Sequence, residues 1–185
     1  MMITLTGFMG SGKTTVGKVL ADFLGCPFFD LDDLVVKKAG KSIPDVFAQD
    51  GEPAFRQLEA RVLRQMVEKY AENTVVLALG GGAVLAPASA ALLQEKTVCI
   101  YLRATLETLL VRLEGETAVR PLLQEIPDQV GDDGGSVVMP GPDRASVSAR
   151  LASREPIYEQ TAHVVIDTDG LSPEEIADEI IISAL

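Results

Sequence analysis

Residues 7–14, Gly-Phe-Met-Gly-Ser-Gly-Lys-Thr, satisfy the pattern G-x-x-x-x-G-K-[ST] without a mismatch. Glycines at this spacing let successive backbone N–H groups converge on phosphate oxygens at a helix N-terminus. Lys13 can reach β- and γ-phosphates, and the Thr14 hydroxyl can ligate Mg²⁺. The flanks are the ones this chemistry needs. Met2-Ile3-Thr4-Leu5 is a short apolar run suited to a buried strand, while Val16, Val19, Leu20, Phe23 and Leu24 recur at helical spacing before Gly25 stops them. A nucleoside triphosphate site follows, with Gly10, Ser11, Gly12, Lys13, Thr14 and Thr15 around the phosphates. A glycine-rich turn matching by chance would lack those flanks.

Further on, Pro27-Phe28-Phe29 forms a second short strand that runs into Asp30-Leu31-Asp32-Asp33. Carboxylates at the carboxyl end of a parallel strand stand where α/β proteins bind ligands. One of them can serve Mg²⁺ directly or through water, and another can orient or deprotonate a substrate hydroxyl. Asp30 and Asp32 take those functional readings; Asp33 is assigned to solvent or to capping a helix over 34–39, a cap that Asp32 could also provide.

Gly40 closes that helix, and Ser42 with Asp45 opens a short one to about Ala48. Asp50-Gly51-Glu52-Pro53 reads as a turn before a long helix whose stripe is Phe55, Leu58, Val62, Met66 and Tyr70. Arg56 and Glu59 stand off that stripe one turn apart, and a solvated ion pair is their ordinary explanation. The apolar run 74–79 is suited to a strand buried on both faces and leads into Gly80-Gly81-Gly82. Three consecutive glycines cost backbone entropy, so they imply positive φ or a ligand against the backbone, and the ligand is the reading preferred here. A helix over 88–93, a strand over 97–102, a helix over 106–113 carrying Arg112, and a strand over 164–166 complete a β-α alternation. Arg112 and the Asp167-Thr168 turn are candidates for the base of the nucleotide by position. Ser172-Pro173-Glu174-Glu175 carries cap, first-turn proline and capping-box acid for the last helix, which Ile176, Ile180 and Ile181 dock. Between them, 125–142 is irregular and reads as a flap, and helical character returns from Asp143.

The whole chain sets bounds on these readings. Its 185 residues, 47% hydrophobic, suit one domain with a full core. A net charge of −11 argues against nucleic acid and anionic membrane as partners, and it requires arginines concentrated where an anionic ligand binds. No long uncharged apolar run or basic leader is present, so the expected location is the cytoplasm. Cys26 and Cys99 lie in apolar settings outside any C-x-x-C pair and are expected as buried reduced thiols. His163, the one histidine, has no neighbours in sequence for a relay, and zinc chemistry is not expected.

In this order, the phosphate loop, Asp30-Leu31-Asp32, Phe55-Arg56-Gln57-Leu58-Glu59, Gly80-Gly81-Gly82, Arg120-Pro121-Leu122-Leu123 and Arg154-Glu155-Pro156-Ile157-Tyr158 resemble the shikimate kinase family over nearly the whole chain. The resemblance implies a three-layer P-loop kinase fold: a parallel five-stranded sheet of order 2-3-1-4-5 flanked by helices, with a mobile lid over about 115–142 and a shikimate-binding segment over about 31–60. It implies one domain, 1–185, acting as a monomeric ATP- and Mg²⁺-dependent transferase on the 3-hydroxyl of shikimate, in the route to aromatic amino acids. Asp32, Arg56, Gly80, Gly81, Gly82 and Arg154 would bind shikimate, the two arginines taking its carboxylate. Glu59 would hold Arg56, and Phe47 and Phe55 would wall the pocket. Lys13, Asp32 and Arg120 would be catalytic, Arg120 and Arg112 would contact ATP, and Thr14 with Asp30 would hold the metal or its water. The stretch from Leu123 to Arg154 is longer than the family's compact lid, which makes Arg144 and Arg150 further candidates to reach the site. Two rival readings are another small P-loop kinase, for a nucleoside monophosphate or gluconate, and a nucleotide-binding module without catalysis.

Overall fold

The computed structural model describes residues 1–117 and 144–184, the side chains of 115–117 excepted. The lid expected over about 115–142, with Arg120, therefore lies outside the described residues apart from 115–117, which end a helix.

Five strands, β1 (Met2–Thr6), β2 (Phe28–Asp30), β3 (Val75–Ala78), β4 (Val98–Arg103) and β5 (Val164–Asp167), form one parallel sheet in the order β2-β3-β1-β4-β5. This is the order implied by the resemblance. β1 and β3 are buried at every position, as central strands covered on both faces must be. Helices α1 (Lys13–Leu24) and α7 (Pro173–Ala184) cover one face, where Ile3, Leu5, Val16, Leu20, Ile100, Ile176 and Ile180 pack together. The other face carries the core of α2 (Leu31–Ala39), α3 (Ile43–Lys69), α4 (Pro87–Lys96), α5 (Leu106–Thr117) and α6 (Arg144–Thr161), with Leu31, Leu63, Leu77, Tyr101 and Tyr158 among its buried residues. α1 lies so close to the sheet that a Cβ on Gly17 would stand 2.5 Å from the Phe28 ring.

Several local expectations hold. Gly25 and Gly40 end α1 and α2 in the left-handed conformation, Ser42 caps α3 by accepting from the Asp45 N–H, and Ser172 caps α7 in a reciprocal box with Glu175. Others need correction. α2 starts at Leu31, three residues early, because Asp30 is its N-cap and accepts from the Asp32 N–H; neither Asp32 nor Asp33 caps it. Phe23 is 52% exposed, since it sits in the last turn of α1 at the margin of the face formed by Val16, Gly17, Leu20 and Ala21. α3 runs from Ile43 to Lys69, broken where expected: Gly51 is non-helical at φ 79°, and Pro53 resumes the helix beyond it. Cys26 is only partly buried, and both cysteines are free thiols.

Candidate active site

The phosphate loop joins β1 to α1. Its Gly7, Gly10 and Gly12 all have positive φ, and Gly12 caps α1 without any side-chain hydrogen bond, leaving the first-turn amides directed out of the helix end. Gly7 could be no other residue: a Cβ there would lie 2.6 Å from the Leu102 carbonyl. Lys13 Nζ donates to Gly7 O at 2.9 Å and Phe8 O at 2.7 Å, so its ammonium is held against the loop. Beside the loop is a cleft of about 400 Å³ lined by Gly10, Ser11, Gly12, Thr15, Val16, Arg112, Leu171, Pro173 and Ile176. Arg112 reaches Gly10 O and both the hydroxyl and carbonyl of buried Thr168, which fixes its guanidinium at the cleft wall. Asp167 is committed elsewhere, to a two-bond pair with Arg103. The candidate turn thus splits into one residue that anchors the cleft arginine from behind and one paired away from it.

Thr14 Oγ1 donates to Asp30 Oδ2 at 2.9 Å, while Asp30 Oδ1 accepts from the Asp32 N–H at 3.0 Å. A hydroxyl and a carboxylate side by side at the phosphate loop suit Mg²⁺, a hard cation that keeps several waters and takes few protein ligands. Among the described residues no group of three or more acids, histidines or cysteines could hold a metal by itself, so the ion would be completed by the nucleotide.

The three groups expected around the acceptor converge on one place. A Cβ on Gly80 would stand 2.7 Å from Asp32 Oδ1 and 2.9 Å from Glu59 Oε1, and one on Gly82 would stand 2.6 Å from Arg56 Nη1. Side chains thus crowd the backbone at Gly80 and Gly82, whereas a Cβ on Gly81 would meet nothing closer than 3.6 Å. None of the three has positive φ. Burial pushes the Asp32 carboxyl above the usual range and Asp30 adds to this, while the nearby charges of Lys13 and Arg56 pull it down. Asp32 thus feels the charge of both the loop lysine and Arg56.

Arg56 is not in a solvated ion pair. Glu59 is only 3% exposed and accepts from Arg56 Nη1 at 2.9 Å; burial raises its carboxyl and the arginine opposes this. The expectation failed because helix α3 buries more than its apolar stripe where it faces β3 and the triplet. Arg56 also donates from Nε to Glu52 at 3.3 Å and lies 5.1 Å over the Phe55 ring, which in turn stacks on Phe47 at 4.6 Å. From α6, Arg154 comes within 6.0 Å of the Phe8 ring of the phosphate loop, and its charge acts on the Tyr158 phenol one turn later. Arg144 pairs with Glu107 on the surface, away from these residues.

The model of the shikimate kinase family matches residues 9–184. The chain belongs to the shikimate kinase family. It is 42% identical to the shikimate kinase of Salinibacter ruber over 181 residues, 98% of this chain and 83% of that one, and 40% identical to that of Enterococcus faecalis over 180 residues, 97% and 95% of the two chains. Among solved structures, the shikimate kinase of Acinetobacter baumannii in complex with shikimate superposes with a TM-score of 0.80 at 33% identity, covering 97% of this chain and 90% of that one.

Within this family frame, Glu52 and Tyr158 are neighbours of the site to which sequence reasoning gave no role. Glu52 lies four residues before Arg56, a spacing that pairs charges on a helix, but the turn read at 50–53 concealed it. Tyr158 lies four residues after Arg154 and so shares its helix face, a signal present in the spacing.

Proposed function

We infer that the protein transfers the γ-phosphoryl group of ATP to the 3-hydroxyl of shikimate, giving shikimate 3-phosphate and ADP. The observation that carries this is the meeting at the glycine triplet of Asp32 and Arg56, with the charge of Lys13 at the phosphate loop also acting on Asp32. A hydroxyl held by Asp32 has the transferable phosphate on one side and a guanidinium for the acceptor's carboxylate on the other. Phosphoryl transfer asks for this kind of positioning and charge neutralisation more than for covalent steps.

In this reading Arg56 and Arg154 bind the shikimate carboxylate, while Asp32 and the Gly80–Gly82 backbone hold the ring hydroxyls. Glu59, buried and bonded to Nη1, fixes Arg56 so that its remaining N–H groups are available to the substrate. Asp32 orients the 3-hydroxyl and accepts its proton. Lys13 stabilises charge on the transferring group, joined by Arg120 when the lid over about 115–142 folds across the phosphates. Gly10, Ser11, Gly12, Thr14 and Thr15 seat the phosphates, and Arg112 borders the base. Thr14 and Asp30 would hold Mg²⁺ directly or through water, and the ion supplies charge neutralisation when bound. The chain acts as a single monomeric domain with its acceptor segment over 31–60, and in the cytoplasm; among the described residues no helix is long and apolar enough to cross a membrane.

A coupled ADP-release assay with shikimate, gluconate, AMP and CMP in parallel tests the assignment. Mg²⁺-dependent turnover with shikimate alone is expected. Turnover with another acceptor and none with shikimate would overturn it, and ATP binding without turnover would leave a nucleotide-binding module.

A further inference from the structure

We propose that Tyr158 is a positioning residue for the acceptor: its hydroxyl fixes the Gly81–Gly82 peptide so that the Gly82 N–H faces the space bordered by Asp32 and Arg56. The proposal rests on the assignment of shikimate to that space. Tyr158 is fully buried, and its hydroxyl donates to Gly81 O at 2.5 Å. In a trans peptide the carbonyl and the following N–H point in opposite directions. Pinning the Gly81 carbonyl toward α6 therefore turns the Gly82 N–H away from α6. Gly82 is also the residue whose Cα side is crowded by the Arg56 guanidinium.

A run of three glycines cannot hold this orientation by itself. Without Cβ atoms each residue has more accessible backbone conformations than any other type, so a peptide plane can rotate at little steric cost. The constraint must come from outside the run. Tyr158 is suited to supply it, because its ring is locked against the Tyr101 ring, with centroids 5.2 Å apart and both side chains buried. Burial pushes the Tyr158 phenol up to about 12, against the pull of Arg154 and Arg56, so it remains a protonated donor at any neutral pH. The same bond ties α6 to the triplet, and the triplet abuts the phosphate loop: a Cβ on Gly81 would lie 3.6 Å from Gly7 O and 3.7 Å from Met9 N.

Tyr158→Phe keeps the ring and removes the hydroxyl. The expected result is a five- to tenfold rise in KM for shikimate, roughly the worth of one oriented hydrogen bond, with KM for ATP within about twofold of wild type. Amide hydrogen exchange should rise in peptides spanning 80–84 and stay unchanged over 28–39. The factor in KM should persist when both enzymes carry Arg154→Ala, because the route runs through the Gly81 carbonyl. Equal KM values with unaltered exchange over 80–84 would overturn the proposal, as would a factor that vanishes in the Arg154→Ala background. Loss of wild-type turnover with shikimate would overturn the functional assignment instead, and the exchange measurement would still judge whether Tyr158 holds the peptide.

Discussion

Gly82→Ala isolates the crowding at the acceptor site from every other effect of mutation. The backbone at Gly82, φ −110° and ψ −1°, is open to alanine, so the substitution carries no left-handed strain and removes some freedom from the unfolded chain. The new methyl would lie 2.6, 2.7 and 2.8 Å from Arg56 Nη1, Nη2 and Cζ. An ordinary contact between such atoms is about 3.5 Å, so the guanidinium must retreat by about 0.8 Å. It cannot do so freely, because Nη1 is bonded to buried Glu59 at 2.9 Å and Nε to Glu52 at 3.3 Å. Misplacing a substrate clamp by about 1 Å costs up to roughly 100-fold. Steady-state kinetics by ADP release should therefore show KM for shikimate raised about 10- to 100-fold and KM for ATP unchanged, with a thermal midpoint below wild type because the clash strains the Arg56–Glu59 pair. In an Arg56→Ala background the same substitution should add little, since the two act through one guanidinium. A folded Gly82→Ala enzyme with wild-type KM for shikimate would refute the claim that Arg56 binds the acceptor beside this glycine.

Four further outcomes are expected. Arg56→Ala raises KM for shikimate with little change in ATP affinity, and equal loss for both substrates would contradict its carboxylate role. Arg120→Ala lowers kcat by about 100-fold, the worth of one electrostatic donor, and an unchanged kcat would remove it from the mechanism. Asp32 is held above its unfolded value chiefly by burial, so the folded chain keeps that proton longer and stability is lost as pH rises through the window between the two values. Asp32→Asn should thus lower kcat by at least about 100-fold yet raise the thermal midpoint, more at pH 7.5 than at pH 4; an equal gain at both would refute the argument. His163 accepts from the Cys99 N–H through Nδ1 at 3.0 Å, with Nε2 against Gln94 O, so His163→Ala should cost about 1–3 kcal/mol in chemical denaturation while kcat stays constant.

The parts legible in the sequence were those written in local patterns. The phosphate loop, the glycine stops at Gly25 and Gly40, the helix caps at Ser42 and Ser172, and the break at Gly51 all depend on residues within a few positions of one another. The buried strands β1 and β3 announced themselves as unbroken apolar runs. Glu59 did not, because helical periodicity sorts residues by polarity and a charged residue on the buried side defeats the sorting. Its burial is set by how α3 lies across β3 and the triplet, a tertiary fact. The crowding at Gly80 and Gly82 was hidden for the same cause. Positive φ can be suspected from a chain alone, whereas crowding by Asp32, Glu59 and Arg56 comes from residues 21 to 48 positions away in the sequence. Asp30 is the mixed case: three acids within four residues do not say which one caps, and the structure gives the cap to Asp30, which also accepts from Thr14.

The acceptor side departs from what stability alone would select. Glu59 and Asp32 are carboxyls held above their ordinary range by burial, and three consecutive glycines replace residues that would have filled the space. A buried ion pair such as Arg56–Glu59 loses in desolvation much of what it gains in attraction, so its presence is better explained by the direction it imposes on the guanidinium. The chain's charge of −11 strengthens this reasoning. An acidic molecule that takes two anionic ligands cannot rely on its overall field, and must instead place each cation where its field is strong at the bound anion and weak elsewhere. Lys13 against the loop carbonyls, Arg112 on Thr168, Arg56 on Glu59 and Arg154 over Phe8 are each anchored in this way. The local rules broken here, a buried acid and a glycine run at a strand end, occur together because one cavity needs both: the acid to aim the arginine and the missing side chains to let it approach the backbone.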